Sequence, residues 1–454
     1  MADDSGLLEL SSVSVRRGRV SVLNSIDLKV SSGEIVILIG ENGCGKSTLL
    51  EAAAGLLPLS SGEVHHSGQL VRDSDGRRNK PSPFGLTLQN GGFSQDELVE
   101  ERIATAIEVS GSMTDADWIS SRLDEWGLRH RAKDRIAWLS GGMKRRVGVL
   151  AGIVPALADN EERLILLDEP SEGLDENSVD TLKNQISLLS DMGHGIMIAT
   201  HNESLASLAN RRITVSDSSI SLEEIEQPNK VTKHTHIAPL KKLNENLFTN
   251  PQNKWINNLE KRTKISTINR SASGLMALLV VAGMLAQITA PSNTSWLALL
   301  ALTPPFISAL VRPGMLSHLS DSRAQEWWNA QLGQNLQMSK FLPPMTLVPI
   351  LLTLISSYLV IGFVNLQVLL IAFAISFLAG GSGRIHALES TFPRQGATMI
   401  ILLQLILIWP FLLLVDLLSM DASTFATRDS EIQLLTAIVI PLSIWLLLPM
   451  ISPE

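Results

Sequence analysis

The chain has 454 residues, of which 45% are hydrophobic and only 18% charged, and its mean hydropathy is positive. A single cysteine, Cys44, excludes an internal disulfide framework and a cysteine-rich metal site, and a net charge of -8 gives no case for nucleic-acid binding. The averages hide a division: up to about Ser216 the chain reads as a soluble α/β protein, and from Ser271 it holds long apolar runs with no charged residue between Ala272 and Leu310.

The opening MADDSGLLEL is acidic and has no basic region followed by an apolar core, so no signal peptide is expected there and the first half is expected to fold in the cytoplasm. Next, EIVILIGENGCGKSTLLEAAAG predicts a buried strand over 35–39, a glycine-rich loop over 40–48 and a helix start. The loop spells G-x-x-x-x-G-K-S-T in the strand–loop–helix setting that a phosphate cradle needs. Gly40, Asn42, Gly43, Gly45 and Thr48 are expected to bring backbone N–H groups to phosphate oxygens at a helix N-terminus. Lys46 is expected to reach the β/γ-phosphates and Ser47 to hold Mg²⁺. The pair His65–His66 points two ways along a strand with nothing clustered nearby, which favours a hairpin over a metal site.

Between Asp96 and Ala137, apolar residues recur at three- and four-residue spacing and predict helices. LSGGMKRR, at 139–146, follows with a Ser, two glycines and three cations; Lys144, Arg145 and Arg146 are expected to form a solvated or interface-facing helical surface. RLILLDEPSEGLD then gives four apolar residues, as in a strand buried on both faces of a parallel sheet. That strand ends in Asp168, placed to hold Mg²⁺ through water, and Glu169, placed to polarise an attacking water. A further strand, GIMIAT, delivers His201 at its C-terminal end as a γ-phosphate sensor.

These motifs, in this order and spacing, resemble the nucleotide-binding domain of an ABC ATPase over 1–226: the P-loop, Gln89 in LTLQNGGF, LSGGM, LLDEP, the loop ending at Asp175, and His201. The resemblance implies ATP and Mg²⁺ as cofactors, catalytic roles for Gln89, Glu169 and His201, and a metal held by Ser47, Gln89 and Asp168. It also implies that Ser140, Gly141 and Gly142 complete the ATP site of a second copy and that Asp175 is a nucleotide-binding residue, so a homodimer is expected. The chain departs from the family in three places: arginines Arg16 and Arg17 stand where an adenine-stacking aromatic is usual, Glu172 and Gly173 replace small or apolar residues, and Cys44 lies within the P-loop.

Residues 227–270 form a join with nine Lys/Arg against two Glu, and the histidines at 234 and 236 read as linker residues. Its last part is expected to form a helix along a membrane surface with Trp255, Ile256 and Leu259 facing lipid. The third part, 271–454, contains six apolar stretches, at 272–290, 296–311, 341–361, 364–381, 396–419 and 432–450, and predicts an all-α six-span membrane domain. With the N-terminus inside, Arg312, Arg323, Lys340, Arg384 and Arg394 fall in cytoplasmic loops and only Arg428 outside, so both termini are expected in the cytoplasm.

The loop containing EWWNAQLGQNLQMSK carries Trp327 and Trp328, which fit either interface anchors or a coupling helix resting on the ATPase. Glu326 and Lys340 resemble marks of the loop between spans two and three in six-span ABC export permeases. Pro304 and Pro305 are expected to bend the second span. Asp416, near the outer end of the fifth, fits a functional contact or an interfacial position.

The resulting expectation is an integral cell-membrane ATP-hydrolysing half-transporter that exports an apolar or amphipathic molecule; haem, lipid and drug-like substrates all remain open. By topology the chain also resembles the haem-exporter ATPase and permease subunits of cytochrome c maturation, joined in one chain. A membrane-anchored ABC ATPase performing regulation or mechanical work without transport is the alternative of a different class.

Overall fold

A computed structural model of the protein describes residues 6–216, 219–224, 238–242, 250–287, 293–314, 316, 323–334, 342–388, 396–425 and 427–451. His234, His236, Lys340 and Arg394 lie outside the described residues. The chain divides into two compact units, one of 1–255 with the described residues between 321 and 336, and the other containing the remainder.

The first unit is built on two sheets. Strands β1 (Leu8–Arg17), β2 (Val20–Val30), β4 (Ser61–His66) and β5 (Gln69–Asp73) form an antiparallel sheet in the order β2-β1-β4-β5. The second sheet runs β10-β9-β3-β8-β7-β6, with β3 (Ile35–Ile39), β6 (Gly85–Thr87), β7 (Leu164–Asp168), β8 (Gly195–Ala199), β9 (Arg211–Ser216) and β10 (Ser219–Glu224). Its five strands from β9 to β6 pair in parallel, and only β10 returns antiparallel. The apolar runs of β7 and β8 are wholly buried, which is why neither shows an alternating pattern.

Helices α1 (Lys46–Ala53), α5 (Glu176–Asp191) and α6 (Glu203–Ala206) follow β3, β7 and β8, so their N-termini gather at the carboxyl edge of the sheet. Helices α2 (Val99–Val109) and α3 (Ala116–Glu125) occupy the region where helical periodicity predicted them, and α4 (Gly141–Leu157) starts within the LSGGMKRR run that follows. Asp115 caps α3 through the Trp118 N–H at 2.8 Å, and Ser140 caps α4 through the Met143 N–H at 3.4 Å. His66 lies on the β4–β5 hairpin, as its sequence context suggested.

The second unit is all-helical. It contains most of α7 (Pro251–Thr263), then α8 (Ile265–Gln287) and α9 (Thr294–Leu310); α10 (Ala324–Leu332) belongs to the first unit. The second unit continues with α11 (Leu347–Ile361), α12 (Leu366–Ala387), α13 (Gly396–Ile406), α14 (Ile408–Ser419), α15 (Ala422–Phe425) and α16 (Arg428–Ile451). Its core includes Ala301, Leu302, Ile371, Ile375, Leu378 and Leu414, with Phe306 stacked on Phe411 at 4.0 Å. Large apolar side chains such as Leu279, Leu347 and Leu366 are turned outward, an arrangement water does not favour.

Among the described residues four helices, not six, are long and apolar enough to cross a membrane: 265–287, 366–387, 398–419 and 428–448. The second and third expected stretches form the shorter α9 and α11, of 17 and 15 residues. Three prolines explain these limits. Pro313 disfavours helix at Arg312, and Pro343–Pro344 interrupt the third stretch before α11 begins.

Helix α9 runs through Pro304 and Pro305. Pro305 has no N–H for the Ala301 carbonyl, and Ser356 Oγ supplies the missing donor at 2.6 Å. Trp255, Ile256 and Leu259 do not form the expected lipid-facing stripe: all three are buried, and Trp255 meets the Trp328 ring at 5.2 Å between centroids.

Candidate functional site

The order of β3, β8 and β7 brings three loop ends together. The loop after β3 turns through Gly40, whose left-handed φ of 147° and position against the Val215 carbonyl leave no room for a Cβ; one built there falls 2.5 Å from that oxygen. Lys46 is buried, and its Nζ donates to the Gly40 and Glu41 carbonyls at 2.8 and 2.9 Å. Ser47, in the first turn of α1, donates from Oγ to Asp168 Oδ1 at 3.0 Å, joining the ends of β3 and β7.

Burial lifts the Asp168 carboxyl to about 6; Glu169 and Glu51 add to the rise, while the Ser47 hydroxyl and Arg145 oppose it. Glu169 adopts a left-handed φ of 46°, a conformation that non-glycine residues take at a cost and that concentrates at functional sites. Its N–H donates to the Ala199 carbonyl at 2.9 Å, its Oε2 accepts from the His201 N–H at 3.3 Å, and its Oε1 lies 3.5 Å from His201 Nε2.

Lys46, Ser47, Glu169 and His201 border a cavity of about 660 Å³ whose lining also includes Asn42, Gly43, Gly45, Thr48 and Gln89, whereas Gly40 and Asp168 do not line it. Ser140, Gly141, Gly142 and Asp175 do not line it; Gly141 borders a separate space of about 270 Å³, which shares Gln89 and Glu172 with the first. Asp175 instead pairs with Arg146 at 2.9 Å, and a hydrogen bond from the Ser178 side chain together with that charge holds its carboxyl below the ordinary range.

Sequence reasoning missed Arg145. In KRR it looked like surface charge, yet its guanidinium is half-buried and donates to four main-chain carbonyls: Leu88 at 3.0 Å, Gln89 at 2.8 Å, Asp168 and Glu169. One side chain from the first turns of α4 thus holds the segment of Gln89 and the end of β7. Arg146 also turns inward, to Asp175 and the Trp126 carbonyl. The solvated alternative therefore fails for Arg145, whose acceptors lie inside the fold, while Arg146 keeps an exposed carboxylate partner in Asp175.

Arg17 is engaged as well, pairing with Glu51 at 2.7 Å, while Arg16 is exposed. Glu51, on α1 one turn beyond Ser47, also receives Arg323 Nη2 at 2.6 Å. The described segment 323–334 continues this attachment within the first unit. Trp327 and Trp328 are buried at 2% and 1% exposure, which removes the lipid-anchor reading. The Arg102 guanidinium lies 3.9 Å from the Trp327 ring; burial draws it down to about 10, so it stays cationic at neutral pH. Gln331 donates to the Phe84 carbonyl at 3.2 Å, Arg78 to the Asn329 carbonyl at 2.9 Å, and Glu326 accepts from Arg323 Nε at 2.6 Å.

Comparison with known proteins agrees with this geometry. A family model described as "ABC transporter" matches residues 23–172. The taurine import ATP-binding protein TauB of Escherichia coli O157:H7 is 31% identical over 199 residues, covering 43% of this chain and 74% of that protein. The pyoverdine export ATP-binding/permease protein PvdT of Pseudomonas syringae pv. tomato is 31% identical over 207 residues, 44% of this chain and 30% of that protein. Among solved structures, an ATP-binding subunit of an ABC transporter is similar, with a TM-score of 0.43 and 24% identity, over 48% of this chain and 90% of that one. With its P-loop lysine and serine, acidic strand end and histidine drawn to one cavity, the chain belongs to the ABC transporter family and is an ATP-hydrolysing enzyme.

Proposed function

We propose that the chain is an ABC half-transporter that works as a homodimer and uses ATP to export an apolar or amphipathic molecule from the cytoplasm. In this reading 1–226 is the nucleotide-binding domain, 227–270 a linker, and 271–454 a membrane domain of six spans, with α9 and α11 as the two short ones. The observation that carries the proposal is the separation of two half-sites: the P-loop cavity of one chain lacks Ser140, Gly141, Gly142 and Asp175, which stand apart at the N-termini of α4 and α5.

A second copy facing the first would bring the cap of α4, with its unpaired N–H groups and favourable dipole, to ATP held over Lys46. Mg²⁺ fits the donors present: a hydroxyl at Ser47, the amide oxygen of Gln89 and a buried Asp168 carboxylate whose raised proton affinity a cation would offset. When bound it would neutralise phosphate charge. Glu169 is the group to take a proton from the attacking water, and His201, beside it, to sense the γ-phosphate. With Arg17 tied to Glu51, Arg16 is the guanidinium left to stack on adenine. The docked segment from Arg323 to Gly333 is the coupling element, since Arg323 grips α1 and Gln331 reaches the residue preceding β6.

Glu169→Gln in the full chain tests the reading. ATP binding should persist while turnover falls by about 100-fold or more; unaltered hydrolysis removes Glu169 from its role. A molecule retained by the purified variant, and its ATP-dependent movement in sealed vesicles, identifies the cargo. ATP hydrolysis without movement of any retained molecule supports the regulatory alternative instead.

A further inference from the structure

At one junction of the second unit, α12 is pressed against two neighbours. A Cβ at Gly380 would fall 2.1 Å from the Pro344 carbonyl oxygen, and one at Gly381 would fall 3.1 Å from that of Pro441 on α16. One turn further along each helix, on the same faces, stand Arg384 and Trp445. The close glycine contact seats the Arg384 guanidinium 4.5 Å from the Trp445 ring centroid. Trp445 is itself fixed, because its Nε1 donates to the Leu342 carbonyl at 2.9 Å.

Arg384 is only 5% exposed, yet its Nε and Nη1 have no hydrogen-bond partner, and no carboxylate pairs with it among the described residues. Ser382 Oγ, two residues before, is likewise buried and without a partner. The contrast lies in the same unit: Arg270, equally buried, donates to Thr346 Oγ1 at 2.8 Å and to the Ala379 carbonyl at 3.3 Å. Arginine cannot shed its charge when buried. An aromatic ring takes the flat face of a guanidinium and leaves its edge donors in plane for a carboxylate or phosphate.

We propose that Arg384, on its Trp445 platform, binds the anionic group, phosphate or carboxylate, of an amphipathic molecule. The inference rests on the second unit lying in a membrane. The anion has two possible sources, a lipid of the surrounding bilayer or a free amphiphile carried to the protein.

The full chain is first washed with carbonate on native membranes, then purified in neutral detergent and melted with added phosphatidylglycerol or with phosphatidylcholine of the same acyl chains. Phosphatidylglycerol should raise the wild-type melting temperature by about 3–5 °C over phosphatidylcholine. Arg384→Gln should abolish that difference and Arg384→Lys, lacking the planar fork, should keep part of it. Should Arg384→Gln not fold, Trp445→Leu removes the platform and leaves the charge, and native mass spectrometry of the wild type from mixed vesicles should find phosphatidylglycerol retained. In phosphatidylcholine vesicles, dodecyl phosphate that stimulates wild-type but not Arg384→Gln hydrolysis identifies a free amphiphile; a melting response without stimulation identifies bilayer lipid. A chain that washes off membranes overturns the membrane reading and this inference together. A chain that stays but shows no anion preference, or one that persists in Arg384→Gln, overturns the inference alone.

Discussion

The guanidinium of Arg145 holds the main-chain carbonyl of Gln89 at 2.8 Å, and through the same side chain the carbonyls of Asp168 and Glu169. Its hydrogen bonds go to backbone only, so it positions other groups, and its charge also bears on the Asp168 carboxyl. Arg145→Ala should lower kcat by roughly 10- to 100-fold while changing ATP affinity far less, and Arg145→Lys should fall between. Steady-state hydrolysis and equilibrium ATP binding separate the two quantities. An unchanged kcat per folded molecule alongside a lower melting temperature would reduce Arg145 to a scaffold residue.

Ser140 caps α4 outside the P-loop cavity of its own chain. Ser140→Arg should therefore leave ATP binding to the monomer within about threefold while blocking nucleotide-induced dimerisation and lowering turnover by about 100-fold. Light scattering of the Glu169→Gln protein with ATP, with and without the second substitution, reads the dimer directly. Normal turnover in Ser140→Arg contradicts a shared site.

Gly333 ends α10 at a φ of 64°, and a Cβ there would lie 2.0 Å from the Asn79 carbonyl oxygen. Gly333→Val combines backbone strain with a main-chain collision, so the segment should come away from β5 and the residues after it. Amide exchange across 324–332 should accelerate by at least about tenfold, with α4 still protected. Tryptophan emission should shift to longer wavelength as Trp327 and Trp328 meet water. Unaltered exchange would show that the segment is held without this contact.

His66 and His194 are both drawn down from 6.5 to about 4 by burial, with His65 adding to the fall at the first and Arg163 at the second. Each is used neutral: His66 Nε2 meets the Ala53 carbonyl at 2.8 Å, and His194 Nδ1 accepts the Arg163 N–H at 3.0 Å. Their folded values lie below the unfolded one, so the unfolded chain takes up protons first as pH falls. The stability they supply is complete above 6.5 and is lost as pH drops toward 4, on the order of 3 kcal/mol for each. Thermal unfolding from pH 7.5 to 4.5 measures the loss. His194→Asn, whose amide oxygen can still accept the Arg163 N–H, should flatten the curve; an equally steep fall in that variant assigns the acid sensitivity elsewhere.

The P-loop and the acidic end of β7 were legible because local pattern and tertiary setting coincide there: a short apolar run, a glycine turn and a helix start lie next to one another in sequence. Arg145 was not, since its four acceptors are backbone atoms from segments far along the chain. Trp255 misled for a related reason. An apolar stripe beside cations reads as lipid-facing until another aromatic, here Trp328 from a distant loop, is found against it. The apolar content of the second half was plain, but not the helix limits, which Pro313, Pro343 and Pro344 set. Arg323 carried a sign in the charge count and no hint that Glu51 was its partner.

The bond from Ser356 to the Ala301 carbonyl has a mechanical meaning. Where a helix lacks Pro305's N–H, the acceptor one turn earlier is served from outside, by a neighbour on α11. Bending an ordinary helix at that height means stretching its own ladder. In α9 that rung is instead completed by a side chain of α11, so at this height the two helices share one hydrogen-bond ladder.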